Sequence, residues 1–173
     1  MVAKGPLRLN VGFIVGLPVG ESRDFDIDIS HIVLESDLIL DELSGSVRIT
    51  RTAQGLLLHA VMHATTPSQC VRCLNDFTLP LEVDFTELYA FSRNGMSESG
   101  LLLPDDAQID LSPLVREYML LAVPIQPLCM PDCKGLCPIC GANQNEGVCN
   151  HLEEELDPRL SILKTWLDHN AIE

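Results

Sequence analysis

Cys70 and Cys73 form one Cys-x-x-Cys pair, Cys137 and Cys140 form a second, and Cys129, Cys133, Cys149 and His151 lie around the second pair. Seven cysteines and one histidine make eight donors, enough for two closed four-ligand sites of the kind that zinc prefers. The Cys137-Pro-Ile-Cys140-Gly141 piece carries most of the signal. Such a turn points two thiolates at one tetrahedral ion, and Gly141 follows where the backbone needs a geometry that a side chain resists. Grouping by segments puts Cys70 and Cys73 with Cys129 and Cys133, and Cys137 and Cys140 with Cys149 and His151. Metal binding would then cross-link separate parts of the chain, and its free energy would become folding free energy. A rival partition gathers Cys133, Cys137, Cys140 and Cys149 around a single ion and leaves Cys70 and Cys73 as a free or redox pair. We expect zinc as the cofactor, one ion or two, with two preferred.

Other uses of the cysteines fit less well. Seven cannot pair fully as disulfides within one chain, and no export signal is evident at the N-terminus. A thioredoxin-like redox pair needs its Cys-x-x-Cys at the start of a helix in a βαβ unit, whereas Pro138 and Gly141 sit in a loop-rich stretch.

The rest of the chain has to position these groups. Its 173 residues are enough for one main domain with a small appended metal module, and 46% hydrophobic against 5% aromatic content describes an aliphatic globular core. Eleven Lys and Arg against 25 Asp and Glu give a net charge of −14, opposite to the footprint of a nucleic-acid binder. An acidic surface suits a basic protein partner. The apolar run from Val11 to Val19 is too short to span a bilayer and is broken by Gly12, Gly16 and Pro18. Lys4 and Arg8 precede it but no small-residue cleavage site follows, so we expect a cytoplasmic protein with no membrane association.

Hydrophobic period supplies the elements. Leu7 to Val15 reads as a strand or a strand turning into a short helix, closed by Gly16-Leu17-Pro18. Arg23 to Ile29 alternates Phe25, Ile27 and Ile29 with Asp24, Asp26 and Asp28, a half-buried strand whose carboxylates are a solvated edge rather than a hard-metal site. After the mixed stretch from Ile32 to Leu43, the runs Val47 to Thr52 and Leu56 to Thr66 flank Ala53-Gln54-Gly55, a hairpin with Gly55 where a positive φ is wanted. His59 and His63 share a strand face about 13 Å apart, too far to chelate one ion together. Phe77 to Phe85 alternates cleanly, Pro80 hints at an edge strand, and the Cys70 pair becomes the turn of a second hairpin. Arg93 to Asp106 reads as a flexible loop. Ser112-Pro113, with Asp110 as an alternative cap, starts a helix to about Ala122 whose buried stripe is Leu114, Val115, Tyr118 and Leu121, and Pro124 and Pro127 lead out of it. Glu117 on this helix is surface charge. After the acidic run Glu153 to Glu155, Asp157-Pro158 starts a last helix to about Asp168 with Leu160, Leu163, Trp166 and Leu167 on its apolar side.

Read together, Cys70-Val-Arg-Cys-Leu74, Phe85-Thr-Glu-Leu-Tyr89, Ile109-Asp-Leu-Ser-Pro113, Pro127-Leu-Cys129, the Cys133-Lys-Gly-Leu-Cys-Pro-Ile-Cys-Gly141 run and Asp157-Pro-Arg-Leu160 resemble the YceD family of large ribosomal RNA subunit accumulation proteins. The resemblance extends from about Arg8 through most of the chain. It implies a bacterial or organellar factor needed for normal amounts of large-subunit ribosomal RNA. Some relatives have a shorter tail after the position of Cys133, which favours Cys70, Cys73, Cys129 and Cys133 as one unit. Where many relatives have Cys-x-Cys, this chain has Cys149-Asn-His151.

The expected architecture is α+β: an antiparallel β-sheet curled toward a small barrel, one packing helix, a Cys-rich zinc module and a C-terminal helix. The divisions are 1–125 for the core domain, 126–152 for the zinc module and 153–173 for the terminal helix. The residues offer no paired nucleophile and base, no phosphate-binding glycine loop and no open metal site, so we expect a non-enzymatic factor in ribosome biogenesis. Its expected partner is a basic ribosomal protein or an rRNA-processing factor, with weak or no direct binding to free RNA and no small-molecule substrate. The alternatives are a zinc-dependent hydrolase, which needs a site with a bound water, and a cysteine-based redox sensor, which needs Cys70 and Cys73 free of metal.

Overall fold

The computed structural model describes residues 6–92, 100–147, 149 and 151. The chain divides into two units, Met1–Cys133 and Lys134–Glu173. In the first, β1 (Arg8–Asn10) and α1 (Gly12–Val15) precede the long strands β2 (Ser22–Leu34), β3 (Leu38–Arg51), β4 (Gly55–Gln69) and β5 (Asp76–Ala90), followed by β6 (Gln108–Asp110) and α2 (Ser112–Ala122). The four long strands form an antiparallel meander in the order β2-β3-β4-β5, and β1 pairs with β6. The α+β class with a mostly antiparallel sheet is as expected, but the sheet is open. Its outer strands β2 and β5 do not meet to close a barrel.

Period-two patterning explains the sheet. On β5, Leu81, Val83 and Phe85 face the core while Thr78, Pro80, Glu82 and Asp84 face water. On β2, Ile27 is buried, Asp24, Asp26 and Asp28 are exposed, and Arg48 on β3 pairs with Asp24 at 2.7 Å. Both strands are edges, which suits Pro80, with no N–H to donate. The stretch Ile32 to Leu43 looked mixed because β3 carries a bulge. Its register against β4 shifts between Asp41 and Ser44, Glu42 takes φ +54°, and Leu40 and Leu43 are therefore both fully buried although three apart.

The helix α2 lies against β5 and β2 and covers the apolar side of the sheet. Its buried residues are Leu114, Val115 and Met119, with Tyr118 half-buried and stacked on Phe85 at 4.1 Å between centroids. Leu121, expected in the stripe, is 75% exposed, and Met119 takes the place four residues after Val115. The N-cap position is Leu111, which makes no side-chain cap; one residue before it, Asp110 Oδ1 accepts the N–H of Ser112, the first helical residue, at 3.0 Å. The helix ends at Ala122 because Val123, before Pro124, is extended. The described part of the expected loop, from residue 100, includes Leu101 and Leu103, both hydrogen-bonded to Ala90 at the end of β5. The expected C-terminal helix lies outside the described residues. Among the described residues no helix is long and apolar enough to cross a membrane.

Gly55 matters for a different reason from the one its turn suggested. Its φ is not positive, but a Cβ there would lie 2.2 Å from the Tyr89 carbonyl oxygen of β5. Gly45 is tighter still: at φ +152° a Cβ would meet the Val61 oxygen at 2.1 Å. Both positions bring neighbouring backbones too close for any side chain. Gly45→Ala and Gly55→Ala are each expected to cost on the order of 3 kcal/mol, read as a lowered midpoint in urea unfolding, because the obstructing atom is backbone that cannot move aside.

Candidate metal centres

The turn between β4 and β5 runs from Cys70 to Asn75. Cys70 N–H donates to the Asn75 carbonyl at 2.9 Å, and Leu74 N–H donates to the Cys70 carbonyl at 2.9 Å. The Lys134–Glu173 unit repeats this pattern at the same offsets: Cys137 N–H donates to Ala142 O at 2.8 Å and Gly141 N–H to Cys137 O at 2.9 Å. In both turns the residue after the second cysteine is left-handed, Leu74 at φ +60° and Gly141 at φ +72°. Sequence reasoning found Gly141 and missed Leu74, whose demand is visible only by laying the second turn over the first.

Each turn aims amide hydrogens at its first sulfur. The N–H of Cys73, helped by those of Cys129 and Arg72, holds the Cys70 thiol at about 6 against the upward push of burial. The N–H groups of Cys140 and Ile139 hold Cys137 at about 6 likewise. Burial and the surrounding sulfurs push Cys129 up to about 12, and the contact with Cys140 together with burial pushes Cys149 up to about 11. Thiols crowded without a cation resist collective ionisation, so a metal entering either cluster displaces protons, and affinity must fall as pH falls.

The chain leaving α2 delivers the other half of the first cluster. Pro127 O accepts the Val71 N–H at 3.0 Å, Cys133 N–H turns back to Met130 O at 3.2 Å, and Arg72 Nη1 donates to Cys133 O at 2.9 Å. Arg72 thus clasps the two cysteine segments. Cys70 and Cys133 sulfurs are 3.7 Å apart and Cys73 and Cys129 sulfurs 3.6 Å apart. In the second unit Leu136 bridges Asn143, Gln144 N–H donates to Gly135 O at 2.9 Å, and the Cys140 and Cys149 sulfurs are 3.5 Å apart.

These separations are far beyond the roughly 2.05 Å of a disulfide. They are near the edge of about 3.8 Å expected of a tetrahedron with metal–sulfur bonds of roughly 2.3 Å. The donor atoms of Cys70, Cys73, Cys129 and Cys133 lie within 4.8 Å of one another, as do those of Cys137, Cys140, Cys149 and His151. The two clusters are the segment-wise sets read from the spacing, and Cys133 belongs with the first rather than with the rival single-ion set. Each could hold a metal ion with four protein donors. His59 and His63 take no part: they sit on the exposed face of β4, paired with Asp84 at 2.8 Å and Glu82 at 3.4 Å.

The family described as "Large ribosomal RNA subunit accumulation protein YceD" matches residues 58–166, a span that includes both clusters. The chain belongs to the YceD family. It is similar to an uncharacterized protein of Mycobacterium tuberculosis, 30% identical over 147 residues, 82% of this chain and 68% of that one. It is also similar to the uncharacterized protein YlbN of Bacillus subtilis, 30% identical over 100 residues, 57% of this chain and 58% of that one. A third relative is the large ribosomal RNA subunit accumulation protein YCED homolog 1, chloroplastic, of Zea mays, 45% identical over 40 residues, 23% of this chain and 14% of that one. No solved structure matches the chain.

The two turns differ in how they meet one backbone demand. A left-handed non-glycine residue costs roughly 1–2 kcal/mol, and Leu74 is 55% exposed, so packing returns little of it. Leu74→Gly is therefore expected to leave stability unchanged or to raise it by up to about 1 kcal/mol in chemical unfolding, after the extra chain entropy of glycine is counted. Gly141→Leu, with open space around its missing Cβ, should weaken metal retention by the second cluster in a chelator competition through strain alone.

Proposed function

We propose that this protein is a non-enzymatic cytoplasmic factor that supports the accumulation of large-subunit ribosomal RNA, held together by two structural zinc ions. The observation that carries the reading is its membership of a family described by that role, with a chloroplast relative named for it. Zinc fits both donor sets: thiolate-rich, tetrahedral in spacing, and closed. Four protein donors in each set leave no position for the metal-bound water that a hydrolase would need, and a sensor built on free Cys70 and Cys73 is disfavoured by the two further thiols beside them.

The partner we propose is a basic ribosomal protein or an rRNA-processing factor. A net charge of −14 repels a phosphate backbone and attracts lysine- and arginine-rich surfaces. The water-facing side of the sheet contributes Asp26, Asp28, Glu82 and Asp84, all exposed. Electrostatic steering of this kind acts mostly on the rate of encounter and weakens with salt.

Elemental analysis of purified protein is expected to give two zinc ions per chain. Cys73→Ser should remove one and lower the melting temperature, because its cluster ties the β4–β5 turn to the chain beyond α2. A zinc content unchanged by that substitution would refute the first site. Cells lacking the protein should contain less large-subunit ribosomal RNA relative to small-subunit RNA, and affinity capture should recover a basic protein by a contact that weakens as salt rises. Purified protein should bind naked large-subunit RNA only weakly; tight, salt-sensitive binding to that RNA with no protein recovered would replace this partner reading with direct RNA contact.

A further inference from the structure

The two clusters share a turn but not a setting. In the first, Cys70, Cys73 and Cys133 are 0%, 3% and 1% exposed and Cys129 is half-buried. Its ligands come from segments 56 and 63 residues apart, joined also by Arg72 to Cys133 O and by Val71 to Pro127 O. Phe77 and Leu128 pack on the sulfurs. Releasing that ion requires the hairpin turn and the chain beyond α2 to part while backbone hydrogen bonds and apolar contacts still hold them.

Among the described residues the second cluster is restrained less: its backbone hydrogen bonds, Cys137 N–H to Ala142 O and Gln144 N–H to Gly135 O, are local to the segment itself. Cys140 and His151 are exposed, Cys149 is half-buried, and Cys137 alone is buried. All four candidate ligands fall within one short stretch of sequence, and an imidazole stands where a fourth cysteine stands in the first cluster. Among the described residues from Lys134 onward, no side chain apart from Cys137 is counted in the buried apolar core, and none belongs to either apolar cluster. A segment with so little apolar burial opens at low free energy unless something else holds it.

We propose that the Cys137, Cys140, Cys149 and His151 site is an exchangeable site for a borderline-soft divalent ion, and that its occupancy decides whether residues 134–147 keep their fold. The first cluster keeps its ion while the second gains and loses one, so the fold of residues 134–147 follows the availability of the metal while the sheet stays intact. This rests on the two-ion reading above. The ligand needs no identification beyond its class, since the donor set selects for Zn(II) or its spectroscopic substitutes Co(II) and Cd(II).

The test uses the full chain with its zinc bound, mixed with an excess of the chromogenic chelator 4-(2-pyridylazo)resorcinol. Zinc is expected to leave in two phases of equal amplitude, the faster by roughly tenfold or more, in line with the loss seen when supporting contacts around a metal site are missing. A pulse of N-ethylmaleimide after the fast phase should label Cys137, Cys140 and Cys149 and spare Cys70, Cys73, Cys129 and Cys133. His151→Cys should slow the fast phase and leave the slow one unchanged. A single phase for both ions, or early labelling of Cys70 or Cys133, overturns the proposal. Protein that purifies with one ion supports it if that ion protects the first four cysteines and overturns it if it protects the last three. Protein that holds no zinc at all refutes the two-ion reading itself, an outcome distinct from two ions that leave together.

Discussion

Four sulfur atoms drawn from two distant segments set the geometry of much of what lies around them. The β4–β5 hairpin could end in any tight turn, but the pairing of Gln69 with Asp76 leaves residues 70–75 to curl so that Cys70 and Cys73 face one point. The chain leaving α2 has to arrive at that point, and it does so through a stretch where Pro124 and Pro127 cannot continue the helix. Arg72 closes the arrangement through the Cys133 carbonyl. The left-handed conformation of Leu74 is tolerated because hydrogen bonds on either side of it and the cysteines it follows leave the backbone no alternative.

Among the described residues, several basic side chains outside the clusters find a carboxylate, while many of the 25 acidic groups are left over. Arg48 pairs with Asp24, His31 with Asp41, His59 with Asp84, and Arg116 with Glu35 and Asp37. Asp110 does double duty, accepting from Ser112 at the start of α2 and pairing with Arg8 on β1; burial pushes its carboxyl upward, but these partners hold it below the usual carboxylate range. Exposed pairs of this sort add little stability each, so the fold rests on the aliphatic layer between the sheet and α2.

Much of this was legible from residues alone. Alternation over Arg23 to Ile29 and Phe77 to Phe85 placed two of the long strands, and cysteine spacing offered two partitions, of which the fold brings together the donors of the segment-wise one. The misreadings share a cause. Leu121 looked buried because a helical stripe admits residues three or four apart, and only the angle at which α2 meets the sheet decides for Met119. The bulge at Glu42 erased the period of β3 at the point where it would have been read, and β3 was seen only from Val47 onward. Gly55 was credited with a turn conformation because the approach of Tyr89 from the adjacent strand leaves no mark in the local sequence. Arg72 was invisible for the same reason: its partner, a backbone carbonyl, has no side-chain signature.

Among the described residues the meander leaves β2 and β5, strands of 13 and 15 residues, as its outer rims. Rims of that length could recruit a strand from another molecule and seed aggregation. On β5, Pro80 interrupts the row of donors such a strand would need, and the far end is occupied by Leu101 and Leu103 bonded to Ala90. On β2, three aspartates at alternate positions make a second copy of the same strand an unwelcome neighbour, since like carboxylates would be stacked across the new ladder. The same acidity that lends the molecule its overall charge thus also works against one copy zipping onto the next along this edge.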